Sequence, residues 1–444
     1  MIDTIRYVNK QIEERDIRFI RLWFTDLLGN LKSFAITPSA VEEALVEGIG
    51  FDGSAIDGVK REDQKSDMLV FPDPSTFHVL PWRPQDKGVA RMFCDIRTPE
   101  GVPSIGDSRH ILMNVLKRGA EKGLILNAGT ELEYFYFKDA AVPEPIDCGG
   151  YFDLTPLDNA SDLRRETILT LEQMGVPVQA SLHEDAPSQH EIDLGFSDAL
   201  SAADAVMTAR LVVKEIASAH GVHASFMPKP LTGVSGSAMF VHESLLTEDG
   251  NAFYDANDPD GYGLSTLAKR YIAGILKYAP EFMLVTNQYV NSYKRLVTGF
   301  DAPTHISWGN RNRSTIVRIP CFKPSKEISA RIQLRNADSA ANPYLTLAVT
   351  FGAGLKGIEE ELPLPAPVES DLFSMTPAQR AELGIDPLPT DLSRAVDAFE
   401  ASDLMRDILG DYVHDYLVST KRAEWEEYRS QVSRWEIDRY LPKL

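Results

Sequence analysis

The hydrophobic periodicity of this sequence changes near Asp107, and that change constrains the fold more than any other feature. Before it, apolar and polar residues alternate in short runs, such as Asp16–Asp26 and Val89–Ile96, which predict strands. A Gly-Asn turn joins the first run to "LKSFAIT", so the pair predicts a hairpin. From Asp107 onward, "DSRHILMNVLKRGAEKG" has a capping residue and the helical period. We therefore predict a small α+β domain over residues 1–106 and a larger domain that mixes strands with long helices over residues 107–444.

Local signals divide these two parts further. Ser39 can cap the N-terminus of a helix and Gly48 can end one, so a short helix is predicted between them. Residues 53–84 contain several prolines and are predicted to form a loop region. In the larger part, the apolar stripe of Ser197–Gly221 predicts one long helix. The sequence of residues 393–431 predicts two or three helices near the C-terminus.

Charge and cysteine usage narrow the classes of function. The net charge is −20, which disfavours nucleic acid and anionic membrane surfaces as partners. The N-terminus lacks the apolar core of a signal peptide, and no run reaches the roughly eighteen apolar residues of a membrane span. The three cysteines are scattered along the chain, at Cys94, Cys148 and Cys321, and their spacing matches no metal site. We therefore expect the protein to function in the reducing cytoplasm. An acidic protein that binds an anionic substrate must concentrate its arginines locally.

Acidic residues recur in two strand-like segments. In "GTELEYFYF", Glu131 and Glu133 share one strand face at a spacing of about 7 Å. On this segment alone a solvated strand end is the simpler interpretation, although aromatic neighbours disfavour it. In "SLHEDAPSQHEIDLGF", Glu184 and Glu191 each follow a histidine, and Pro187 favours strand–loop–strand over one helix. Together the four carboxylates suit Mg²⁺ or Mn²⁺.

Arginines cluster later in the chain, several of them within strand-like apolar runs. These arginines are Arg295, Arg311, Arg313, Arg318, Arg331 and Arg335. Some are expected to pair with acidic residues, whereas others would hold phosphate or carboxylate oxygens, for which the guanidinium fork is suited. Carboxylates for Mg²⁺ together with arginines are the components of phosphoryl transfer. The sequence has no Walker loop and no GxGxxG, so a nucleotide would need another kind of site.

The segment "GVSGSAMFVHESL" (Gly233–Leu245) indicates half of a polar site. Its alternation places Phe240, His242 and Ser244 on one face of a strand. Small residues precede the strand, so backbone could approach a ligand there. An aromatic ring therefore occupies a position where a second polar group would complete the site.

These segments together resemble bacterial class I glutamine synthetases over nearly the whole chain. The matching stretches are "FDGSAIDG", "SDMLVFPDPSTF", "ELEYF", "GGYFD", "HEDAPSQHEIDL", "MPKP", "GSAMFVHESL", "NSYKRLVTGFDAP", "NRNRSTIVRIP" and "NPYL". The resemblance implies an N-terminal β-grasp domain and a larger α+β catalytic domain. It implies ATP-dependent formation of glutamine from glutamate and ammonia through γ-glutamyl phosphate. It also implies active sites shared between neighbouring subunits of a hexameric ring or a double-ring dodecamer.

The resemblance also implies a role for each matching residue. Glu133, Glu184 and Glu191 would hold a first metal, and Glu131 a second. Asp52 of the adjacent subunit would take a proton from ammonium, which Tyr151 and Glu184 would bind. Arg295, Arg335 and the backbone of Gly236 would bind glutamate. Arg313 and Arg318 would stabilise the transferring phosphoryl group, Asp301 would lie on the loop that closes the site, and the nucleotide site would be lined by Phe196, His242, Ser244 and Arg331.

The sequence departs from the family pattern around substrate and metal. Phe240 and Gln333 stand where histidine and glutamate ligands of the second metal are usual, so we expect that metal to bind weakly or only with ATP. The other departures are Ser235 for asparagine, Ala55 for serine, Asp301 for glutamate and Leu182 for histidine. Phe373 replaces the tyrosine that is adenylylated in regulated members, so that control should be absent.

Three functions stay open at this point. The first is an ATP-dependent ligase that joins glutamate or an analogue to an amine other than ammonia, for which Ala55 would widen the ammonium pocket. The second is an ordinary glutamine synthetase with a weakened second metal. The third is a catalytically silent paralogue that assembles with an active enzyme.

Overall fold

Two hydrophobic cores, each against its own β-sheet, organise the chain. The computed structural model describes residues 2–58, 66–321 and 326–444. One core gathers buried side chains between Val8 and Ile96, and the other gathers mainly those between Ile111 and Val418. This arrangement is α+β, as the change of periodicity predicts.

The N-terminal part is a twisted sheet with two helices. Its elements are α1 (Ile2–Glu14), β1 (Ile17–Thr25), β2 (Leu31–Ile36), α2 (Val41–Val46), β3 (Ile49–Asp52), β4 (Asp67–Pro72), β5 (His78–Val79) and β6 (Gly88–Arg97). Among the described residues the strand order is β2-β1-β6-β4-β3, with β5 beside β6. β1 pairs antiparallel with β2 and parallel with β6, so the predicted hairpin and both predicted strands are present.

Two local predictions in this part are wrong. The predicted loop over residues 53–84 contains β4 and β5, because "DMLVFP" buries alternate side chains and pairs with both β3 and β6. That pairing is a tertiary effect that Pro72 and Pro74, at and after the end of the strand, obscure in the sequence. Ser39 does not cap α2, since it lies in a 3₁₀ turn and the helix begins at Val41 without a side-chain cap. Residues 59–65 of the predicted loop lie outside the described residues.

The larger part is a mixed sheet covered by helices. Its strands are β7 (Ile125–Phe137), β8 (Val178–His183), β9 (Gln189–Leu194), β10 (Ser197–Asp198), β11 (His223–Ser225), β12 (Met239–Thr247), β13 (Gly250–Asn251), β14 (Trp308–Asn310), β15 (Val317–Ile319) and β16 (Ile332–Leu334). Within the described ranges the main order is β14-β15-β16-β12-β7-β9-β8. The long strand β7 is central and carries the two predicted glutamates, and β8 and β9 form the predicted strand–loop–strand.

Helices cover this sheet and extend the chain to its end. They are α3 (Ser108–Ala120), α4 (Ser161–Gln173), α5 (Ala199–Ala219), α6 (Thr266–Thr286), α7 (Ser292–Arg295), α8 (Pro343–Glu359), α9 (Pro377–Glu382), α10 (Leu392–Glu400), α11 (Asp403–Leu409), α12 (Asp411–Arg429) and α13 (Arg434–Tyr440). The predicted long helix is α5, and α10 to α12 account for the predicted terminal helices. A membrane-spanning helix is not found in the part of the chain that the structure describes.

A buried arginine joins the two parts of the chain. Arg109, on the first turn of α3, is 4% exposed. Its guanidinium donates to Asp73 at 2.9 Å and to Asp95 at 2.8 Å, both in the N-terminal part. It also donates twice to Asp204 of α5, at 3.2 and 3.1 Å. Because one guanidinium pairs with carboxylates from three separate segments, its position fixes how α3 and α5 meet the N-terminal sheet.

We expect Arg109→Met to destabilise the protein strongly. Removing the cation leaves the carboxylates of Asp73, Asp95 and Asp204 without their shared positive charge, which costs about 3–5 kcal/mol of unfolding free energy. The matched control is Arg118→Met on the same helix, whose exposed pair with Asp407 is worth about 0–1 kcal/mol. Urea denaturation followed by circular dichroism measures both. Equal shifts of the two midpoints would contradict a central role for Arg109.

Candidate active site

Most of the predicted site residues line one cavity of about 520 Å³ on the larger sheet. Those lining it are Glu131, Glu133, Tyr151, Glu184, Glu191, Gly236, Arg295, Asp301, Arg313, Arg318 and Arg335. The predicted residues outside this lining are Asp52, Phe196, His242, Ser244 and Arg331. Seven acidic side chains and four arginines share the cavity wall, so the cavity combines metal-ligand chemistry with anion recognition.

Strand register brings three of the predicted metal ligands together. On adjacent strands, Glu133 of β7 lies directly opposite Glu191 of β9. Glu184 directly follows β8, at the end where His183 pairs with β9. Oxygen atoms of Glu133, Glu184 and Glu191 lie within 4.8 Å of one another. The sheet therefore forms the three-carboxylate group that the sequence predicts for the first metal.

Burial makes this group unfavourable in its ionised form. Burial, together with neighbouring carboxylates, raises the pKa of Glu184 to about 7 and the pKa values of Glu133 and Glu191 well above their ordinary range. Glu133 accepts hydrogen bonds from the Ala238 amide at 2.7 Å and from Gln189 at 3.2 Å, and these offset only part of the repulsion. Three hard oxygen ligands under mutual repulsion fit Mg²⁺ or Mn²⁺.

A hydrogen-bonded layer behind Glu184 holds it in place. His183 bonds through Nδ1 to the Glu184 carbonyl at 2.7 Å and through Nε2 to Asp147 at 3.1 Å. His190 lies close to both residues, but its Nδ1 faces the Arg164 guanidinium at 2.8 Å. A guanidinium only donates, so Nδ1 accepts and Nε2 carries the hydrogen. In that tautomer Nε2 of His190 has no lone pair to offer a cation. We therefore interpret Asp147, His183 and His190 as a layer that supports the metal ligands.

Both predicted glutamate-binding arginines are buried and held by hydrogen bonds. Arg295 is 1% exposed and donates to the carbonyls of Asn336 at 2.7 Å and Arg335 at 3.0 Å. Arg335 donates to the carboxylate of Asp301 at 3.1 Å and to the Arg313 carbonyl at 2.9 Å. These contacts fix both guanidinium groups at the cavity wall, and the Asp301 contact ties Arg335 to the predicted closing loop.

The other predicted residues of the cavity wall include Tyr151, Arg313 and Gly236. Partial burial would lower the pKa of Arg313, but the nearby Tyr151 hydroxyl and acidic side chains raise it, and the net direction is upward. At Gly236 a Cβ would overlap the Pro228 carbonyl oxygen and lie 3.1 Å from Arg295, so only glycine fits. Gly236 lines the cavity, and its binding of glutamate through the backbone stays a prediction.

The residues predicted to line the nucleotide site form a separate cluster beside Glu131. His242 bonds to Glu131 at 2.6 Å and accepts a hydrogen bond from Arg331 at 3.1 Å. The Arg331 guanidinium and the His242 ring both lie 5.9 Å from the Phe196 ring centroid. Ser244, farther along β12, is 2% exposed. The structure thus brings three of the four together, and their role with a nucleotide stays a prediction.

Asp52 lies at the end of β3 in the N-terminal part, away from the cavity lining of its own chain. It is exposed and accepts a hydrogen bond from the Ser54 amide at 2.9 Å. This location agrees with the prediction that Asp52 serves the site of a neighbouring subunit, which a single chain does not test.

Sequence reasoning missed three polar residues of the cavity. Gln189 donates to Glu133 and to the Gly236 carbonyl. Asp193 lies opposite Glu131, and burial raises its pKa to about 6. Asp185 accepts a hydrogen bond from Ser235 at 2.8 Å. A signal existed for Asp193, since it shares a strand face with Glu191. The same signal existed for Gln189, which lies on that face of β9, whereas for Asp185 the local sequence carried none.

We expect metal binding to strengthen as the pH rises. The folded-state pKa of Glu184, about 7, exceeds its ordinary value of 4.5. Ionising it therefore costs folding free energy between about pH 4.5 and about pH 7, whereas a cation binds the ionised form. The increase in melting temperature caused by Mn²⁺ should be larger at about pH 7.5 than at about pH 5.5. The Glu184→Gln variant should show a smaller pH dependence. If Mn²⁺ raised the melting temperature of the wild-type protein equally at both pH values, the prediction would be contradicted.

Known proteins match nearly the whole chain. Residues 16–99 match the family model for the glutamine synthetase beta-grasp domain, and residues 105–440 match that for the glutamine synthetase catalytic domain. Glutamine synthetase of Mycolicibacterium smegmatis is 51% identical over 441 residues, which cover 98% of each chain. Glutamine synthetase of Thermotoga maritima is 43% identical over 442 residues, which cover 99% of each chain.

Solved structures agree with these matches. A GmaS structure in complex with ADP has a TM-score of 0.89, and an apo GmaS structure without ligand has a TM-score of 0.87. Both are 32% identical to this chain and cover 98% of it and 99% of their own length. With its beta-grasp and catalytic domains in the expected order and its relatives matched end to end, the chain belongs to the glutamine synthetase family, whose members are ligases that use ATP and Mg²⁺ or Mn²⁺.

Proposed function

We propose that this protein is an ATP-dependent ligase that joins the γ-carboxylate of glutamate to an amine other than ammonia. The observation that carries this proposal is the single cavity in which Glu133, Glu184 and Glu191 face four arginines. Carboxylates that hold a cation and guanidinium groups that hold anions are the two requirements of phosphoryl transfer to a carboxylate.

In the first step a γ-carboxylate oxygen of glutamate attacks the γ-phosphorus of ATP, and ADP leaves. Arg295 and Arg335 are placed to bind the glutamate, because their guanidinium groups are held at the cavity wall. Arg313 and Arg318 line the same wall and would face the charge on the transferring phosphoryl group. A divalent cation held by the three glutamates would supply positive charge beside the γ-carboxylate.

In the second step the amine nitrogen attacks the carbonyl carbon of the γ-glutamyl phosphate, the bond from that carbon to the phosphate oxygen breaks, phosphate leaves and the nitrogen loses a proton. Tyr151 and Glu184 line the cavity, and the resemblance assigns them to the acceptor. Asp52 of a neighbouring subunit would take the proton. A carboxylate from the neighbour would keep this step from occurring before the site is assembled.

Departures on the acceptor side favour an amine other than ammonia. Asp185 adds a carboxylate to the cavity beside Glu184 and is held by Ser235, which stands where asparagine is usual in the family. The Asp185 carboxylate attracts ammonium and protonated alkylamines alike, so the preference for a larger amine rests on the space in the acceptor pocket. Ala55 in place of serine removes a hydroxyl from the predicted ammonium pocket. The names of the curated relatives favour ammonia instead, so the two acceptors must be compared directly.

The test is phosphate release from ATP with glutamate and a panel of acceptors. The panel contains ammonium, methylamine, ethanolamine and a diaminoalkane, each tested with the wild-type protein and with Glu184→Gln as the inactive control. We expect kcat/KM for at least one alkylamine to exceed that for ammonium by about tenfold or more, which corresponds to about 1.4 kcal/mol of transition-state binding.

The other outcomes identify the alternatives. Ammonium as the best acceptor would make the protein an ordinary glutamine synthetase. Lack of turnover with every acceptor, together with co-purification with an active synthetase, would make it a silent paralogue.

We also propose that the protein assembles as a hexameric ring or as a dodecamer in the cytoplasm. The support for a ring is the separation of Asp52 from the cavity of its own chain, since a shared site requires a neighbour. The support for the cytoplasm is the presence of three cysteines that form no disulfide in the described residues.

Co-expression of Asp52→Ala with Glu184→Ala subunits tests the shared site. Neither variant should be active alone. In a randomly mixed ring, about one quarter of the interfaces combine an intact Asp52 with an intact Glu184, so about a quarter of wild-type activity should return. Tagging the two subunits differently and purifying through both tags selects mixed rings. Mixed rings with no recovered activity would contradict sharing of the site.

A further inference from the structure

The carboxylate of Glu131, predicted to bind the second metal, is held by hydrogen-bond donors on both oxygens. His242 lies at 2.6 Å from Oε1, and the amide nitrogen of Gln333 lies at 2.9 Å from Oε2. His242 and Gln333 are directly opposite on adjacent strands β12 and β16, so the sheet register creates this arrangement. Burial alone would raise the pKa of Glu131, but the His242 contact and nearby arginines lower it.

The tautomer of His242 follows from its other neighbour. Arg331 donates through Nε to His242 Nδ1 at 3.1 Å. The Nδ1 lone pair is therefore used, and the hydrogen of the neutral ring lies on Nε2, which donates to Glu131. Neither ring nitrogen presents a lone pair toward the position of a cation beside Glu131.

The orientation of the Gln333 amide is fixed by the partners of its oxygen and of its nitrogen. Its carbonyl oxygen accepts hydrogen bonds from Arg318 at 3.0 Å and Arg335 at 3.2 Å. The opposite orientation would direct the NH₂ group at two guanidinium groups and the carbonyl oxygen at a carboxylate. Those contacts are all repulsive, so the network selects the observed orientation. Gln333 thus directs hydrogens, and no lone pair, toward Glu131.

Phe240 takes part in the same arrangement. The Arg335 guanidinium carbon lies 4.2 Å from the centroid of the Phe240 ring, the geometry of a cation–π contact. Phe240 lies directly opposite Glu131 in the strand register. An aromatic face that holds a guanidinium therefore stands where a metal-binding side chain is usual in the family.

We infer that this protein binds one divalent cation per site, at Glu133, Glu184 and Glu191, and that its second metal position is replaced by a hydrogen-bonded network. In this network Arg318 supplies positive charge that faces the phosphates, and Arg318 and Arg335 together hold the carbonyl oxygen of Gln333. The metal count stands by itself, whereas the role toward phosphates rests on the proposed function. Gln333 also removes one of the negative charges that a second cation would neutralise.

The test is an equilibrium titration with Mn²⁺, in which free Mn²⁺ is measured by electron paramagnetic resonance on the full-length assembled protein without nucleotide. We expect one Mn²⁺ per chain for the wild type, and a loss of this binding of at least about tenfold for Glu184→Gln. The double variant Phe240→His/Gln333→Glu should bind two. Two ions per wild-type chain of similar affinity would overturn the inference.

Two further variants separate metal binding from folding. Phe240→Leu removes the aromatic face without adding a ligand, so its count should stay at one. Gln333→Glu alone adds a carboxylate beside Glu131 and should gain a second, weaker ion even if the double variant does not assemble. A second ion in Phe240→Leu, or no gain in an assembled Gln333→Glu, would contradict the replacement of the site by the network.

Nucleotide binding tests the role of the arginines. Binding of a non-hydrolysable ATP analogue is measured by calorimetry with Mn²⁺ and with a chelator. Arg318→Gln should weaken binding by about tenfold or more in both conditions, because it removes a charge-assisted contact. Unchanged affinity would overturn that role. None of these measurements requires turnover, so a protein inactive with every amine would refute the proposed function and leave the metal count intact.

Discussion

The site depends on the mutual repulsion of three buried carboxylates. Glu133, Glu184 and Glu191 bring their oxygens within 4.8 Å of one another, and burial shifts each pKa upward. An arrangement that costs free energy in the metal-free protein persists because the strands and the layer behind them over-determine it. One geometry therefore has two consequences, namely the affinity of the three carboxylates for a cation and their mutual repulsion when no cation is bound.

The sheet provides this geometry with few residues. Because Glu133 and Glu191 are cross-strand partners, their separation is set by strand spacing and not by side-chain flexibility. His183 fixes the carbonyl of Glu184 and is itself fixed by Asp147. Glu133 and Glu191 thus lie on strands and Glu184 directly follows one, whereas Asp301 lies on a connection between elements, the predicted closing loop.

Much of this arrangement could be predicted from sequence, and the limits have physical reasons. Alternation located β7, β8, β9 and β12, and the acidic pairs on them indicated the metal group. β4 was missed because its stability comes from pairing with distant strands. The roles of single residues came from resemblance, since spacing along a chain does not report the contact of Glu131 with His242. The orientation of Gln333 depends on four neighbours from several segments, so no local pattern encodes it.

The substitutions at positions 240 and 333 make physical sense only as a pair. With Phe240 present, a glutamate at position 333 would place a second carboxylate beside Glu131 with one cation ligand fewer to hold the ion between them. A neutral amide at 333 removes that repulsion, and its carbonyl gives Arg318 and Arg335 a common acceptor. Both polar atoms of Gln333 and both oxygens of Glu131 have partners, whereas Arg318 Nε and Asp193 Oδ1 are buried without a hydrogen-bond partner in the described residues. The pairing is therefore complete at the two side chains that face the second metal position, which is what a hydrogen-bonded replacement of the ion requires.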